Sequence, residues 1–277
     1  MVKIAHCTDF SKNSEKALEA ILFNFWSFDI TIDIIHLVEG DYAKAAARLE
    51  AYKKELISSH GTRVAFKVYL FETSEKEALI SQLNSEGYYA TIAGLEGIGE
   101  TAGIGSFLEE LYKSYLGNMT IVPFWHEIKI ENKVLVAVEY ENIEEFYAIV
   151  QVKNFLDFQF SKLTVLVRVK EDIAQVQVLE IEAFLRKVLP SLEIELLVYN
   201  PEICTNFITK GIKEKQLDYY IIFKGDYFDS CIYNMIVNKP AGNTFKERVV
   251  RMSTAPEDIH KLKSGDNPLN QINLKLE

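Results

Sequence analysis

The fold follows from residues 2–38, VKIAHCTDFSKNSEKALEAILFNFWSFDITIDIIHLV, in which two hydrophobic periods alternate. The apolar run at 2–7 predicts a buried strand, and residues 30–38, which are rich in β-branched side chains, predict a second one. Between them lies a helical pattern for which Ser11 is the expected N-cap. Its apolar residues are Ala17, Leu18, Ile21, Leu22 and Phe25. Strands joined by a helix favour a parallel sheet.

The same alternation continues to about residue 125. Ser74 and Glu77 have capping-box spacing, so a helix is expected to begin there. Asp29 and Asp33 flank or interrupt the second strand, and both are predicted to be solvated. The further predicted strands are 64–71, 88–93 and 119–124, and the further helices are 42–58, 74–86 and one carrying Phe107, Leu108, Leu111, Tyr112 and Tyr115.

A second series of the same kind follows, which predicts one domain present twice. Its strands are 132–138, 162–169, 192–199 and 217–223, its helices are 142–156, 173–189, 202–215 and 227–238, and its last strand is either 247–252 or 270–276. The predicted fold is α/β, with two tandem three-layer α/β/α domains that each contain a five-stranded parallel sheet. Domain 1 is 1–125, a charged joint covers 125–131, domain 2 is 132–252, and 253–277 is a polar, loosely ordered tail.

The composition of the chain limits the classes of function that we expect for it. The chain has 277 residues, of which 48% are hydrophobic, and it carries a net charge of -10. Such a chain can build packed cores, and its acidity disfavours nucleic acid as a partner. The sequence contains neither a signal-peptide pattern nor an apolar run long enough to cross a membrane, so we expect a cytoplasmic protein. Cys7, Cys204 and Cys231 lie too far apart to suggest a disulfide scaffold or a cysteine zinc site.

Candidate ligand-binding residues follow from the expected sheet, because parallel α/β sheets bind ligands beyond the carboxyl ends of their strands. The first strand ends in Thr8-Asp9-Phe10-Ser11, and the second ends in His36-Leu37-Val38. The fourth leads into Gly94–Ser106, which holds five of the 13 glycines and precedes a helix. Glycines before a helix N-terminus allow backbone N–H groups to approach a phosphate. The alternative interpretation of that segment is a flexible loop.

These residues, taken together, resemble the universal stress protein family. The resemblance rests on Thr-Asp-Phe-Ser after the first strand, on the strand ending in His-Leu-Val, and on the Gly-x-x-Gly…Gly-Ser segment, and it covers 1–125 well and 132–250 weakly. It implies the adenine nucleotide alpha hydrolase-like fold. It also implies a site for ATP or AMP in domain 1, with adenine or ribose on Asp9, adenine on the backbone of Leu37, and ribose and phosphates on the later residues. Those residues are Gly94, Gly97, Gly105 and Ser106.

Domain 1 departs from the family pattern in its phosphate segment. Gly97 and Gly105 bracket seven residues, fewer than in the family. Between Gly94 and Tyr112 there is no Lys or Arg, and the acids in that stretch are Glu96, Glu100, Glu109 and Glu110. Like charges oppose a phosphate chain. A Mg²⁺ ion brought with the nucleotide and held by Glu96 would offset part of that charge.

Domain 2 lacks the residues that carry the family resemblance in domain 1. Glu139 is expected near the position of Asp9, Arg168 at that of His36, and Lys224–Phe228 in place of the glycine segment. We therefore predict that domain 2 binds no nucleotide. It would instead pair with domain 1 as an internal pseudo-dimer, with strand 119–124 as a candidate for the interface, and a homodimer is a further possibility.

No catalytic signature is present in the sequence. His6, His36 and Cys7 are predicted to be core or near-site residues, and no metal site is evident. Two functions stay open. The first is a stress-response or regulatory protein that binds an adenine nucleotide in domain 1 without substantial catalysis, and the second is an interaction scaffold that binds no nucleotide. A slow ATPase is the weakest interpretation, because the sequence shows no basic group for a transferring phosphoryl.

Overall fold

The computed structural model describes residues 2–25, 28–38, 40–61, 63–95, 106–123, 126–128, 132–139, 160–169, 175–189, 192–199, 217–237 and 248–253. The chain divides into two compact units. The first is built around residues 1–125, and the second around residues 126–235 and 247–277. None of the helices described there is long and apolar enough to cross a membrane.

The first unit is a parallel sheet with helices between its strands. Its strands are β1 Val2–Thr8, β2 Ile30–Val38, β3 Val64–Glu72, β4 Ala90–Gly94 and β5 Met119–Val122, and its helices are α1 Lys12–Asn24, α2 Tyr42–His60, α3 Lys76–Ser85 and α4 Ser106–Ser114. The strand order is β3-β2-β1-β4-β5, and every neighbouring pair is parallel. The order therefore reverses between β1 and β4, where the general rule for such sheets places a ligand.

The second unit repeats this topology. Its strands are β6 Asn132–Glu139, β7 Phe160–Arg168, β8 Glu193–Tyr199, β9 Tyr219–Phe223 and β10 Arg248–Met252, and its helices are α5 Gln175–Val188 and α6 Tyr227–Val237. The order β8-β7-β6-β9-β10 matches that of the first unit, and the pairs are parallel. The last strand is thus the first of the two alternatives. The helices predicted at 142–156 and 202–215, and the alternative strand at 270–276, lie outside the described residues.

The predicted fold class is confirmed, since both units are α/β with parallel five-stranded sheets. The core consists of the apolar strands, and Ile4, Ile32, Ile92, Val136 and Val165 are fully buried. Continuous burial along a strand requires cover on both faces of the sheet, which explains why these strands show no polar alternation.

The local sequence predicts the cap of one helix correctly and that of another incorrectly. Ser11 caps α1 as predicted, because the backbone N of Ser14 donates to Ser11 Oγ at 3.1 Å. The prediction of a capping box at Ser74 and Glu77 is wrong. The structure forms it between Glu72 and Glu75, with the backbone N of Glu72 donating to Glu75 Oε2 at 2.7 Å. A short 3₁₀ turn, Thr73–Glu75, therefore precedes α3.

Asp33 is buried, whereas the sequence predicted that it would be solvated. Its exposed fraction is 0%. The hydroxyl of Tyr88 donates to Asp33 Oδ2 at 2.7 Å, and Lys3 Nζ lies 3.3 Å from the same oxygen. A buried carboxylate needs such partners, and both come from segments distant in sequence.

Candidate functional site

The first unit contains a cavity of about 670 Å³ at the carboxyl ends of β1, β2 and β4. Four of the six residues predicted to bind a nucleotide line it, namely Asp9, Leu37, Gly94 and Ser106. The other two, Gly97 and Gly105, lie outside the described residues. The strand order explains the convergence, because β1 stands between β2 and β4 and α4 begins beyond β4.

The end of β1 has a fixed local geometry that presents Asp9 to the cavity. Asp9 Oδ1 accepts a hydrogen bond from the backbone N of Ser11 at 2.9 Å, and Thr8 Oγ1 accepts one from the backbone N of Phe10 at 3.0 Å. Phe10 has a φ of 58°, in the left-handed region that side chains rarely adopt. Such strain persists only where surrounding contacts support it, which is typical of functional sites.

The contacts that hold Phe10 come from β2 and α2. The Phe10 ring centroid lies 4.5 Å from that of His36 and 5.8 Å from that of Tyr52. His36 Nδ1 is 2.8 Å from the carbonyl oxygen of Thr8, so this nitrogen is the N–H donor. The hydrogen bond and the ring contact thereby connect the ends of β1 and β2 at one wall of the cavity.

His6 and Cys7 belong to the core, as predicted. Burial lowers the pKa of His6 to about 4, against smaller opposing effects of the Ile92 backbone and Asp9. Burial raises the pKa of the Cys7 thiol to about 12. At neutral pH the imidazole is uncharged and the thiol is protonated, so Cys7 is not an activated nucleophile.

Gly94 stands where the end of β4 meets the start of α1. A Cβ atom added at this position would lie 3.0 Å from the backbone carbon of Asn13 and 3.0 Å from its Cγ and Nδ2. These distances are below ordinary van der Waals contact, so the close approach itself requires glycine. The packing of β4 against α1 thus accounts for the glycine at position 94, independently of any part that Gly94 has in ligand binding.

The described lining of the cavity is less acidic than the stretch from Gly94 to Tyr112 suggests. Lys44 and Arg48, both on α2, line it, which corrects the expectation that no basic group is available near the site. Of the four acids in that stretch, Glu109 is paired with Lys113 at 2.6 Å, and Glu96 and Glu100 lie outside the described residues. The two bases stand four residues apart, a spacing that indicates one helix face but not what that face meets.

Matching backbone hydrogen bonds align the second unit with the first. Tyr89 donates its backbone N–H to Lys3 as Asp218 does to Lys133, each at 2.9 Å. The bond from Leu95 to Val122, 3.0 Å, likewise corresponds to that from Lys224 to Met252, 2.8 Å. These pairs make Glu139 the counterpart of Asp9 and Phe223 the counterpart of Gly94.

The alignment corrects the predicted counterpart of Arg168. Glu139 lies beside Arg168 in the β6–β7 register, whereas Thr8 lies beside His36 in β1–β2. Since Glu139 corresponds to Asp9, Arg168 takes the place of Leu37 and not that of His36. The β6–β7 pairing contains a register shift between Asn132 and Lys133, so its later residues are offset by one position from the β1–β2 pairing. The sequence gives no sign of this shift.

The second unit fills its own site. Arg168 Nη1 lies 2.5 Å from Glu139 Oε1, and the guanidinium carbon stands 4.2 Å from the Tyr227 ring centroid. The backbone N of Tyr227, the first residue of α6, donates to Glu139 Oε1 at 3.2 Å. A carboxylate of the protein thus occupies the helix N-terminus, which in other proteins of this topology receives an anion. Only Lys224–Asp226 separate β9 from α6.

Both units, then, are doubly wound parallel α/β structures, and the first has a cavity at its switch point. No protein-family model matches the sequence, and a search among curated protein sequences finds no match. Solved structures do match in fold. A universal stress protein from Archaeoglobus fulgidus has a TM-score of 0.64 at 14% identity, covering 91% of this chain and 98% of that one.

Two further structures share the fold. A putative universal stress protein from Pseudomonas aeruginosa has a TM-score of 0.61 at 12% identity, covering 93% of this chain and 95% of that one. The cytoplasmic domain of a prokaryotic cation chloride cotransporter has a TM-score of 0.52 at 11% identity, covering 94% of this chain and 98% of that one. The chain has the fold of universal stress proteins. Because the fold also occurs in a transporter domain, function must be argued from the site.

Proposed function

We propose that the protein is a stress-response or regulatory protein that binds an adenine nucleotide, ATP or AMP, in its first unit only and without substantial catalysis. The observation that carries this proposal is the convergence of Asp9, Leu37, Gly94 and Ser106 on one cavity. These residues come from four separate segments, and the resemblance to universal stress proteins gives each of them a part in nucleotide binding. The fold shared with universal stress proteins supports the same conclusion.

The proposed roles follow the chemistry of each position. The Asp9 carboxylate accepts hydrogen bonds from adenine or ribose, and the backbone at Leu37 pairs with adenine. Gly94 and Ser106, together with Gly97 and Gly105, bind the ribose and phosphates, helped by the N-terminus of α4. Mg²⁺ would enter only with the nucleotide, since the described residues hold no cluster of metal-ligating side chains.

The groups on the described part of the cavity favour binding over catalysis. The Cys7 thiol is protonated at neutral pH because burial raises its pKa to about 12. Ser14 Oγ is bonded to Thr8 Oγ1 inside the core, and so it is not presented to a ligand as a nucleophile. Lys44 and Arg48 weaken the sequence argument against a slow ATPase. That activity is tested by phosphate release measured against an enzyme-free control.

The proposal is tested by denaturing purified protein and analysing the supernatant for AMP, ADP and ATP by HPLC, followed by calorimetric titration with AMP and with ATP and Mg²⁺. We expect released nucleotide or a saturable heat of binding. Asp9→Ala should abolish it, while Asp29→Ala, which removes an exposed carboxylate outside the cavity, should not. Absence of both released nucleotide and binding heat would overturn the proposal.

The alternative is an interaction scaffold that binds no nucleotide in either unit. The self-filled site of the second unit favours it, because that unit keeps the fold with the site positions occupied by Glu139, Arg168 and Tyr227. If the first unit binds no nucleotide in the experiment above, the scaffold becomes the better interpretation.

A further inference from the structure

The positive charges on the described lining of the cavity both come from α2. Lys44 and Arg48 project from the same side of that helix. Among the described residues neither takes part in an ion pair, although other lysines of this unit do have carboxylate partners. Those lysines are Lys3, Lys16 and Lys113. Two cations facing a cavity without a carboxylate partner indicate an anionic ligand.

The guanidinium of Arg48 is held in place by the strained residue at the end of β1. Its central carbon lies 4.3 Å from the Phe10 ring centroid, and Nη2 lies 3.5 Å from the Phe10 carbonyl oxygen. The Phe10 ring is itself packed against His36 and Tyr52. A stacked guanidinium loses less conformational freedom when it binds an anion, because its orientation is already restricted.

The two acids on the described lining are engaged by backbone donors near their own positions. Asp9 Oδ1 accepts from the backbone N of Ser11 at 2.9 Å, and Asp41 Oδ1 accepts from that of Lys44 at 3.0 Å. Asp41 is thereby the N-cap of α2. Neither carboxylate lies within ion-pair distance of Lys44 Nζ or of the Arg48 guanidinium in the described contacts, so the described lining does not neutralise the two cations.

We propose that Lys44 and Arg48 bind the phosphate groups of the ligand and so supply the charge that the glycine segment lacks. The inference rests on the proposed function, because it names the groups that recognise the phosphates of a nucleotide bound in this cavity. The guanidinium fork contacts two phosphate oxygens at once, and the ammonium adds a point charge beside it. The site therefore selects phosphorylated adenosine over adenosine itself.

The experiment titrates AMP and adenosine separately into the full chain at low salt, with calorimetric detection. We expect the wild type to bind AMP at least about tenfold more tightly than adenosine, the effect of one or more charge-assisted hydrogen bonds. The double variant Lys44→Gln/Arg48→Gln should lose this preference and bind adenosine as the wild type does. Added salt should weaken AMP binding in the wild type more than in the variant.

The matched control is Lys53→Gln/Lys54→Gln, which removes the same charge from the same helix at positions outside the cavity. It should keep the preference for AMP. Ser106→Ala tests the phosphate contacts proposed at the start of α4, and Arg48→Lys, which keeps the charge without the fork and its stacking on Phe10, should lose part of the preference.

The outcomes separate this inference from the proposed function. If Lys44→Gln/Arg48→Gln keeps the preference for AMP while Ser106→Ala loses it, α4 recognises the phosphates without the two cations and the inference is overturned, but the proposed function stands. Equal affinity of the wild type for AMP and adenosine has the same meaning. If the wild type binds neither compound and no ATP, the proposed function fails and the inference fails with it.

Discussion

The two units share a strand order but differ at the three positions of the candidate site for which the strand pairing gives a counterpart. Asp9, Leu37 and Gly94 in the first unit correspond to Glu139, Arg168 and Phe223 in the second. In the first unit the side chains leave a cavity of about 670 Å³. In the second they bond to one another and to the N-terminus of α6. The strand order thus brings corresponding positions together in both units, and the side chains at the strand ends decide whether they line a cavity or contact one another.

The largest effect is expected at the position held by Gly94 and Phe223. Phe223 is fully buried and belongs to the core of the second unit. Phe223→Ala should lower the free energy of unfolding of that unit by about 3–5 kcal/mol, because it removes packing and leaves a cavity. Hydrogen exchange of β9 peptides in increasing urea measures the loss unit by unit.

The conservative control at this position is Phe223→Leu, which keeps most of the buried volume and should cost about 1 kcal/mol. A loss of similar size in β1 peptides of the first unit would contradict the expectation that the effect is confined to the second unit.

Acid should destabilise the first unit more than the second. His6 is fully buried with a pKa lowered to about 4, mainly by burial, and its counterpart Val136 does not titrate. Between pH 6.5 and about 4 the unfolded chain binds a proton at His6 and the folded chain does not, so lowering the pH favours unfolding. The full contribution is up to about 3 kcal/mol, measured by urea denaturation across that range.

His6→Val, which installs the residue of the second unit, is the matched variant for this pH test. It should flatten the pH dependence even if it lowers stability at all pH values. Parallel pH curves for wild type and variant would show that other groups dominate the acid response.

Gly94→Ala should destabilise the first unit by about 1–3 kcal/mol, because the added Cβ meets Asn13 at 3.0 Å. Part of that contact is with the Asn13 side chain and part with its backbone. In an Asn13→Ala background the cost should therefore fall without vanishing. A fully neutral Gly94→Ala would mean that α1 can move away from β4 and that packing does not require glycine.

The smallest effect concerns the ion pair that closes the second site. The side chains of Arg168 and Glu139 are 16% and 19% exposed, so a double-mutant cycle with alanine should give a coupling of about 1 kcal/mol. The control pair is Lys162 and Glu193, exposed at 39% and 70%, for which we expect less than about 0.5 kcal/mol. Equal couplings would show that burial adds nothing to the Arg168 pair.

The architecture was predictable because periodicity is a local signal. The apolar runs at 30–38 and 162–169 matched β2 and β7 closely, and Ser11 caps α1 as expected. The box at α3 was misplaced because Glu72, Ser74, Glu75 and Glu77 offer two overlapping registers, and only the packing of the turn selects one.

The missed parts of the site depend on contacts between distant segments. Lys44 and Arg48 stand among several bases on a largely exposed helix, and nothing in their spacing shows which of these bases line the cavity. The prediction for Asp33 is wrong because its partners Lys3 and Tyr88 come from β1 and from the segment before β4. Tertiary packing therefore determines the charge of the cavity, and local pattern does not.

The Glu139 carboxylate at the N-terminus of α6 has a consequence for how each unit responds to its surroundings. A tethered group is always present at a high effective concentration, so its occupancy of that helix end does not depend on any solute. A diffusible ligand bound in the cavity of the first unit, as we propose, would instead follow mass action. On that proposal the contact of Glu139 with its helix is permanent, whereas occupancy of the first cavity would change with the concentration of ligand in the surrounding solution.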